Sequence, residues 1–375
     1  MDRIAIIGGG LAGTACAYVF RRGGMEPVIF EASESLAAGA SGNPLGLYNP
    51  RFFAEKMPQA EFYAEAFLDI CSLLQEIGEE VDHSAHGSLH LITTPEKDIR
   101  FRKMLESWGW GDDLMTIVSA EQASDLAGIK LSHDAMFLPT SGVACPYKVC
   151  GYYARDCEVR LNESVTELVQ TTSGWQVNGE SFDAVILACG AGVLNFEQTN
   201  WFPVHTVRGQ VLQFAETEVS KNLKTNLNYG GYLLPSTNGV HTSGSTFQSW
   251  LTHTDILEQD NTDILSNLEK AVPSLSGDKE VTYARASLRT ASKDRLPIIG
   301  CVPDPEAFEE VPSQVQNMFV STAHGSHGIV TSYKAAEIIF KKYVQDADNS
   351  AYVEVSPDRF LKGKGNRKTR VNFSQ

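Results

Sequence analysis

The sequence has no paired-cysteine signature. Its seven cysteines, at 16, 71, 145, 150, 157, 189 and 301, never fall at a CxxC spacing. That pattern excludes a disulfide-stapled secreted scaffold and a zinc ribbon, and the thiols read as scattered groups of a reducing compartment. Positive charge is scarce as well: 31 basic residues face 46 acidic ones, for a net charge of −15. Broad, sequence-independent nucleic-acid binding needs Lys and Arg to neutralise phosphates, so the body of this chain argues against it. Long apolar runs are also missing. The stretch 4–20 is uncharged, but glycines at 8, 9, 10 and 13 break it into strand, turn and helix. A bilayer span needs about 20 consecutive apolar residues, so no membrane attachment is expected and the cytoplasm is the expected location. No internal repeat or low-complexity tract stands out.

At 375 residues the chain is long enough for two domains. Its opening reads as a βαβ unit: strand over Arg3–Ile7, helix over Gly10–Arg22, strand over Pro27–Phe30. Ser33–Pro50, rich in Gly, Ala, Ser and Asn and without a period, is expected to be a long loop. Helices are expected over Ala60–Ile77, Pro95–Trp108, Ile256–Ala271 and Gly328–Val344. Ser88–Thr93, Ala184–Ala188 and Met318–Thr322 read as strands. Val207–Phe214, Tyr232–Pro235, Val240–Ser245 and Glu280–Leu288 read as strands of an antiparallel sheet.

The first glycines form GxGxxG in Gly8-Gly9-Gly10-Leu11-Ala12-Gly13, after a strand and opening a helix. Gly8 permits the tight turn, Gly10 lets the backbone approach a pyrophosphate, and Gly13 allows close helix–strand packing. The helix start at Leu11 and Ala12 favours the negative charge. Glu31 ends the second strand, where a carboxylate accepts hydrogen bonds from ribose hydroxyls and repels a 2′-phosphate. Together these point to FAD or NAD over NADP. FAD is favoured by the later segments. Gly39-Ala40-Ser41-Gly42-Asn43 supplies amides and small side chains, and the strand ending at Gly190 would close over the cofactor. Gly325-Ser326-His327-Gly328 then precedes a helix and can aim amides at the flavin pyrimidine oxygen.

This order of motifs resembles the D-amino-acid-oxidase superfamily over nearly the whole chain. The run from Gly39 through Asn43-Pro44-Leu45-Gly46 is similar to one branch of it. That branch is the flavin domains of bifunctional bacterial enzymes making 5-methylaminomethyl-2-thiouridine at the tRNA wobble position. Arg208-Gly209-Gln210, Asp294-Arg295-Leu296-Pro297 with Gly300, and Pro357-Asp358-Arg359 fit the same branch. The fold implied is α/β (α+β), with a Rossmann-like FAD-binding domain interleaved with a substrate domain on a mixed/antiparallel sheet. The FAD-binding domain is expected to be discontinuous, at 1–80 with 141–202 and 286–375. The substrate domain is expected at 81–140 with 203–285, and a basic C-terminal tail at 359–375.

The resemblance further implies that Arg289, in Ser287-Leu288-Arg289-Thr290, binds a substrate carboxylate. A buried guanidinium offers the bidentate fork that a carboxylate matches. Arg285 is the expected structural neighbour. Tyr232 matches a tyrosine that contacts substrate in related oxidases. No general base is needed, because a neutral amine nitrogen drives hydride from its α-carbon to the flavin. His324 and His327 are accordingly read as structural. No cysteine lies between Cys189 and Cys301 to tether a flavin, so FAD is expected to be noncovalent.

The implied reaction removes the carboxymethyl group of 5-carboxymethylaminomethyl(-2-thio)uridine in tRNA, with O2 as acceptor. The first strand begins at residue 3, so the methyltransferase step is expected to need a separate protein. Two alternatives stay open: a small-molecule amine oxidase of the glycine or sarcosine oxidase kind, and a flavin-bearing protein without turnover. Arg289 ahead of the last glycine motif speaks against the latter. RNA contact would fall to the acid-free tail, with Arg359, Lys362, Lys364, Arg367, Lys368 and Arg370.

Overall fold

The protein is described by a computed structural model covering residues 1–51, 53–305, 314–345 and 352–361. The chain divides into two units. The first comprises Met1–Gly42, Tyr147–Thr206 and Arg289–Gln375; the second comprises Asn43–Pro146 and Val207–Leu288. Residues 43–80, assigned to the first domain in the sequence reading, fall in the second unit.

The first unit is built on a six-stranded sheet. Its order is Ile298–Pro303, Gln314–Thr322, Ala184–Leu187, Arg3–Ile7, Glu26–Phe30, Glu158–Arg160. All neighbours are parallel except the first pair. Parallel strands are covered on both faces, which explains why Ile4–Ile7 and Ala184–Leu187 are apolar without alternation and wholly buried. Helices Leu11–Arg22 and Gly328–Gln345 pack together, with Phe20 and Phe340 edge to face at 5.3 Å. A three-stranded meander over Leu168–Thr171, Gly174–Val177 and Glu180–Phe182 buries Trp175 and Phe182 with the sheet's apolar side chains.

The second unit carries most of an eight-stranded mixed sheet. Its order is Val281–Ser292, Val204–Ala215, Val240–Gly244, Tyr232–Leu233, Asn226–Asn228, Ser88–Leu91, Ala135–Leu138, Thr116–Val118. Asn226–Asn228 and Ser88–Leu91 run parallel, while Val204–Ala215 and Val240–Gly244 run antiparallel. Residues in register share a face. Leu89, Leu227, Leu233 and Leu212 therefore point together into a core with Ile264 and Leu268 of helix Glu258–Ala271. On the other face, Met136 and Leu138 pack with Ala60 and Ala64 of helix Pro58–Ile77. Phe101, Met104 and Trp108 of helix Pro95–Trp108 join them.

The expected fold class is the observed one. Locally, the expected 33–50 loop contains a single 3-10 turn, Ala40–Gly42, and a strand, Gly46–Tyr48, that pairs with Gly142–Ala144. Three residues carry no readable period, so only the distant partner makes that strand. Among the described residues, no helix is long and apolar enough to cross a membrane.

Candidate cofactor and substrate site

Strand Arg3–Ile7 has Glu26–Phe30 on one side and Ala184–Leu187 on the other. The connections part at its C-terminal end, which is the topological switch point where open α/β sheets bind ligands. Gly8 lies there with φ +115°, a left-handed conformation open to glycine, and a Cβ on it would stand 2.6 Å from the Ala188 carbonyl oxygen. A Cβ on Gly13 would overlap the Gly8 carbonyl oxygen, so helix and strand approach as closely as backbone allows.

Gly10 caps helix Leu11–Arg22 in an extended conformation. It has no side-chain cap, and the first turn contains no acid. The helix start therefore presents amide groups and a positive dipole end to whatever lies before it. Leu11 N–H donates to Ser41 Oγ at 3.0 Å, which draws the 40–42 turn over this end, and Ala12 lies buried in the first turn. Ala37 N–H donates to the Gly9 carbonyl at 3.0 Å, with Ala37 itself at φ +60°. Glu31 accepts from Gly9 N–H at 2.7 Å through one oxygen and from Ser33 N–H at 2.8 Å through the other. Two amides thus orient the carboxylate, and each oxygen keeps a lone pair for a hydroxyl.

The later motifs meet in the same unit. Gly190 opens a 3-10 turn at φ +59°, and its carbonyl accepts from Thr322 Oγ1 at 2.9 Å. Gly325 N–H donates to the Thr290 carbonyl at 2.9 Å, and Ala291 bridges His324. Arg289, half-buried in strand Val281–Ser292, therefore immediately precedes the residues that clasp the last glycine turn. Ser326 is exposed in that turn, and the His327 carbonyl accepts from Thr331 N–H at 2.9 Å as helix Gly328–Gln345 begins. A Cβ on Gly328 would stand 3.4 Å from the Leu11 side chain, so the two glycine-led helix starts are neighbours.

His324 is held by Thr331 Oγ1 at 2.8 Å on one ring nitrogen and Ser321 Oγ at 3.1 Å on the other. Burial pushes its pKa down to about 4, so it is a neutral structural group. The Cys189 thiol, next to Gly190, is pushed up to about 12 by burial and stays protonated.

Two named residues lie in the second unit. Asn43 Oδ1 accepts from Arg285 Nη1 at 3.0 Å, and burial lowers the pKa of Arg285. Tyr232 is half-buried, in register with Asn228 and Gly244. Thr290, Thr322 and Ala37 escaped the sequence reading although they hold the glycine turns. Thr290 follows Arg289, but apolar alternation stops at Leu288 and the strand was expected to end there.

Other motif residues prove structural. Arg208 is fully buried and paired with the Asp260 carboxylate, and it also donates to Gln210 Oε1 at 2.8 Å. Asp294 accepts from Arg359 at 2.8 and 3.2 Å, and Arg359 also donates to the carbonyls of Ser356 and Leu296. Arg359 is thus a clasp rather than a free tail cation. Lys362, Lys364, Arg367, Lys368 and Arg370 lie outside the described residues. Among the described residues no His, Cys, Asp or Glu cluster could hold a metal.

The uncapped, acid-free helix start, the oriented Glu31 carboxylate and the glycines that a Cβ would obstruct fit a dinucleotide cofactor. The family of FAD dependent oxidoreductases (DAO) matches residues 3–341. The chain belongs to this family. Among its relatives is the tRNA 5-methylaminomethyl-2-thiouridine biosynthesis bifunctional protein of Methylobacillus flagellatus. It is 28% identical over 96% of this chain and 59% of its own length. The protein of the same name from Legionella pneumophila subsp. pneumophila is 29% identical over 96% of this chain and 57% of its own. The chain thus spans less than two thirds of either relative. Among solved structures, glycine oxidase from Geobacillus kaustophilus superposes with a TM-score of 0.78 at 19% identity, covering 94% of this chain and 98% of its own. L-proline dehydrogenase from P. horikoshii does so with a TM-score of 0.80 at 15% identity, covering 96% and 98%. These two likenesses concern the fold.

Proposed function

We propose that this FAD-dependent oxidoreductase oxidises the C–N bond of a glycine-like secondary amine. The substrate we favour is 5-carboxymethylaminomethyl(-2-thio)uridine at the tRNA wobble position, from which the carboxymethyl group is removed. The observation that carries this reading is the match over 96% of the chain to proteins named for biosynthesis of a methylaminomethyl uridine in tRNA.

Gly8, Gly10, Leu11, Ala12 and Gly13 would hold the FAD pyrophosphate, and Glu31 the ribose. Ala40, Ser41, Gly42 and Asn43 would line the path of the cofactor with Gly190. Gly325, Ser326, His327 and Gly328 would face the pyrimidine end. FAD, when bound, supplies a two-electron acceptor for hydride from the substrate's α-carbon, leaving an imine that water splits to glyoxylate and aminomethyl uridine. Arg289 orients the reacting carbon by holding the glycine carboxylate, and its planar fork fixes direction as well as distance. Tyr232 is a second candidate for a substrate contact. His324 takes no proton from substrate, because both ring nitrogens are engaged within the fold. The cofactor is taken to be noncovalent because no cysteine lies between Cys189 and Cys301, and O2 is the proposed final acceptor.

The net charge of −15 favours a second reading, a small amino acid or amine as substrate. Anaerobic mixing separates the two. Loss of the oxidised flavin absorbance on adding tRNA that carries the carboxymethylaminomethyl group supports the first. Bleaching by glycine or sarcosine alone supports the second.

A further inference from the structure

We propose that the Arg359–Asp294 pair positions the last glycine turn against the flavin, so that Arg359 is a positioning residue acting through the backbone. This inference rests on the reading above in which residues 325–328 face the pyrimidine end, and it deepens that reading by naming what holds them there. Strand Val281–Ser292 ends in a tight turn, 292–296, before strand Ile298–Pro303 begins. The two arms grip one short segment. Ala291 bridges His324, and Ile298 pairs with Thr322. Between those contacts lies Ala323 at φ +60°, and Gly325 follows at φ +58°. Left-handed backbone at a residue other than glycine is unfavourable, and it persists only where its surroundings over-determine it. The grip extends to the cofactor glycines. The Thr290 carbonyl accepts from Gly325 N–H at 2.9 Å, and Thr322 Oγ1 donates to the Gly190 carbonyl at 2.9 Å.

The 292–296 turn sets the spacing of those arms, and it is itself strained, with Arg295 at φ +64°. One carboxylate holds it closed. Asp294 accepts from Leu296 N–H at 3.1 Å, from Ser292 Oγ at 2.7 Å, and from the Arg359 fork at 2.8 and 3.2 Å. Arg359 also donates to the Leu296 carbonyl at 3.1 Å, so it ties the acid and the far side of the turn together. The segment that carries Arg359 is fixed in its place. Ile299 N–H donates to the Val355 carbonyl at 2.9 Å, and Arg359 donates to the Ser356 carbonyl at 2.9 Å. Burial would raise the Asp294 carboxyl, but Arg359 and Ser292 hold it below its usual range, so the fork meets a charged partner. The pair is too exposed to contribute much stability, with the Asp294 side chain 38% and that of Arg359 13% open to solvent. What it supplies is geometry. Amides of 325–328 can stabilise the negative charge of a reduced flavin only when held at hydrogen-bonding distance.

The test uses the FAD-loaded full chain and sulfite, which bleaches a flavin reversibly and binds more tightly where negative charge at the pyrimidine end is stabilised. Arg359→Ala should raise the sulfite Kd at least about tenfold, the loss of roughly one charge-assisted hydrogen bond. Its melting temperature should fall by about 4 °C or less. Arg359→Lys keeps the charge and loses the fork, and should recover part of the affinity. Asp294→Asn carries the same prediction and replaces Arg359→Ala should that variant fail to fold. A folded, FAD-loaded variant whose sulfite Kd stays within twofold of the wild type overturns the proposal and leaves the clasp a structural feature. A wild-type flavin that sulfite does not bleach overturns it as well. Conversion of the modified uridine by the wild type alongside either result leaves the proposed function standing. The expected loss of sulfite affinity in the variants, without conversion by the wild type, overturns the substrate reading alone.

Discussion

Replacing Gly10 with alanine separates cofactor binding from folding. Gly10 has φ −83° and ψ −174°, which any residue adopts, so the backbone itself resists nothing. A Cβ there would stand 3.1 Å from Ser41 Oγ and reach no other atom more closely. Ser41 must yield by a few tenths of an ångström, at the expense of its 3.0 Å bond from Leu11 N–H. One such bond is worth about 1 kcal/mol, so the apoprotein should melt close to the wild type. The methyl group, however, stands before the first-turn amides where a pyrophosphate would approach. Losing one charge-assisted hydrogen bond, about 1.5–3 kcal/mol, weakens FAD binding roughly ten- to two-hundredfold. Titrating the apoprotein with FAD and following quenching of flavin fluorescence measures this. Gly13→Ala is the contrast, since its Cβ collides with the Gly8 carbonyl and should lower the melting temperature itself. A Gly10→Ala protein that binds FAD within twofold of the wild type would refute the assignment of this helix start to the cofactor.

Arg289→Lys keeps the charge and loses the fork, so KM for the carboxylate substrate should rise at least tenfold in steady-state assays; an unchanged KM removes Arg289 from the substrate. Asp260→Asn leaves Arg208 buried without its counter-charge and should cost about 3–5 kcal/mol by urea unfolding, with a double apolar replacement recovering much of it. His324 is neutralised by burial, and His90 by burial aided by Lys97 and Arg100; both pKa values fall to about 4. Unfolded histidine protonates near pH 6.5, so this stability is complete above about 6.5 and is lost as pH falls toward 4, by up to about 3 kcal/mol per residue. Thermal unfolding between pH 7 and 4 checks this, and His324→Gln should flatten part of the acid limb.

The opening of the chain was legible because local signals agree with burial. Ile4–Ile7 is continuously apolar and lies in mid-sheet, and Pro95–Trp108 starts after a Thr94 cap and stops at a left-handed Gly109. Ala120–Ala127 was missed although Ser119 and Gln122 form a capping box that could have announced it. Gly46–Tyr48 and the end of Val281–Ser292 were not legible, since their partners are remote in sequence. The site divides the same way. Gly8, Gly10, Gly13 and Glu31 are a local pattern and lie together at the end of the first strand, with Glu31 accepting from Gly9 N–H. Thr290 and Ala37 act through backbone groups that residue type does not reveal. Arg208, quoted only for its resemblance to one branch of the family, is the buried partner of Asp260, far along the chain, which the local sequence does not reveal.

The central claim is tested most directly by incubating the FAD-loaded protein with tRNA bearing carboxymethylaminomethyl uridine and analysing the nucleosides by mass spectrometry. Aminomethyl uridine appearing together with glyoxylate is the predicted result. Unchanged nucleosides alongside rapid oxidation of glycine or sarcosine would contradict it.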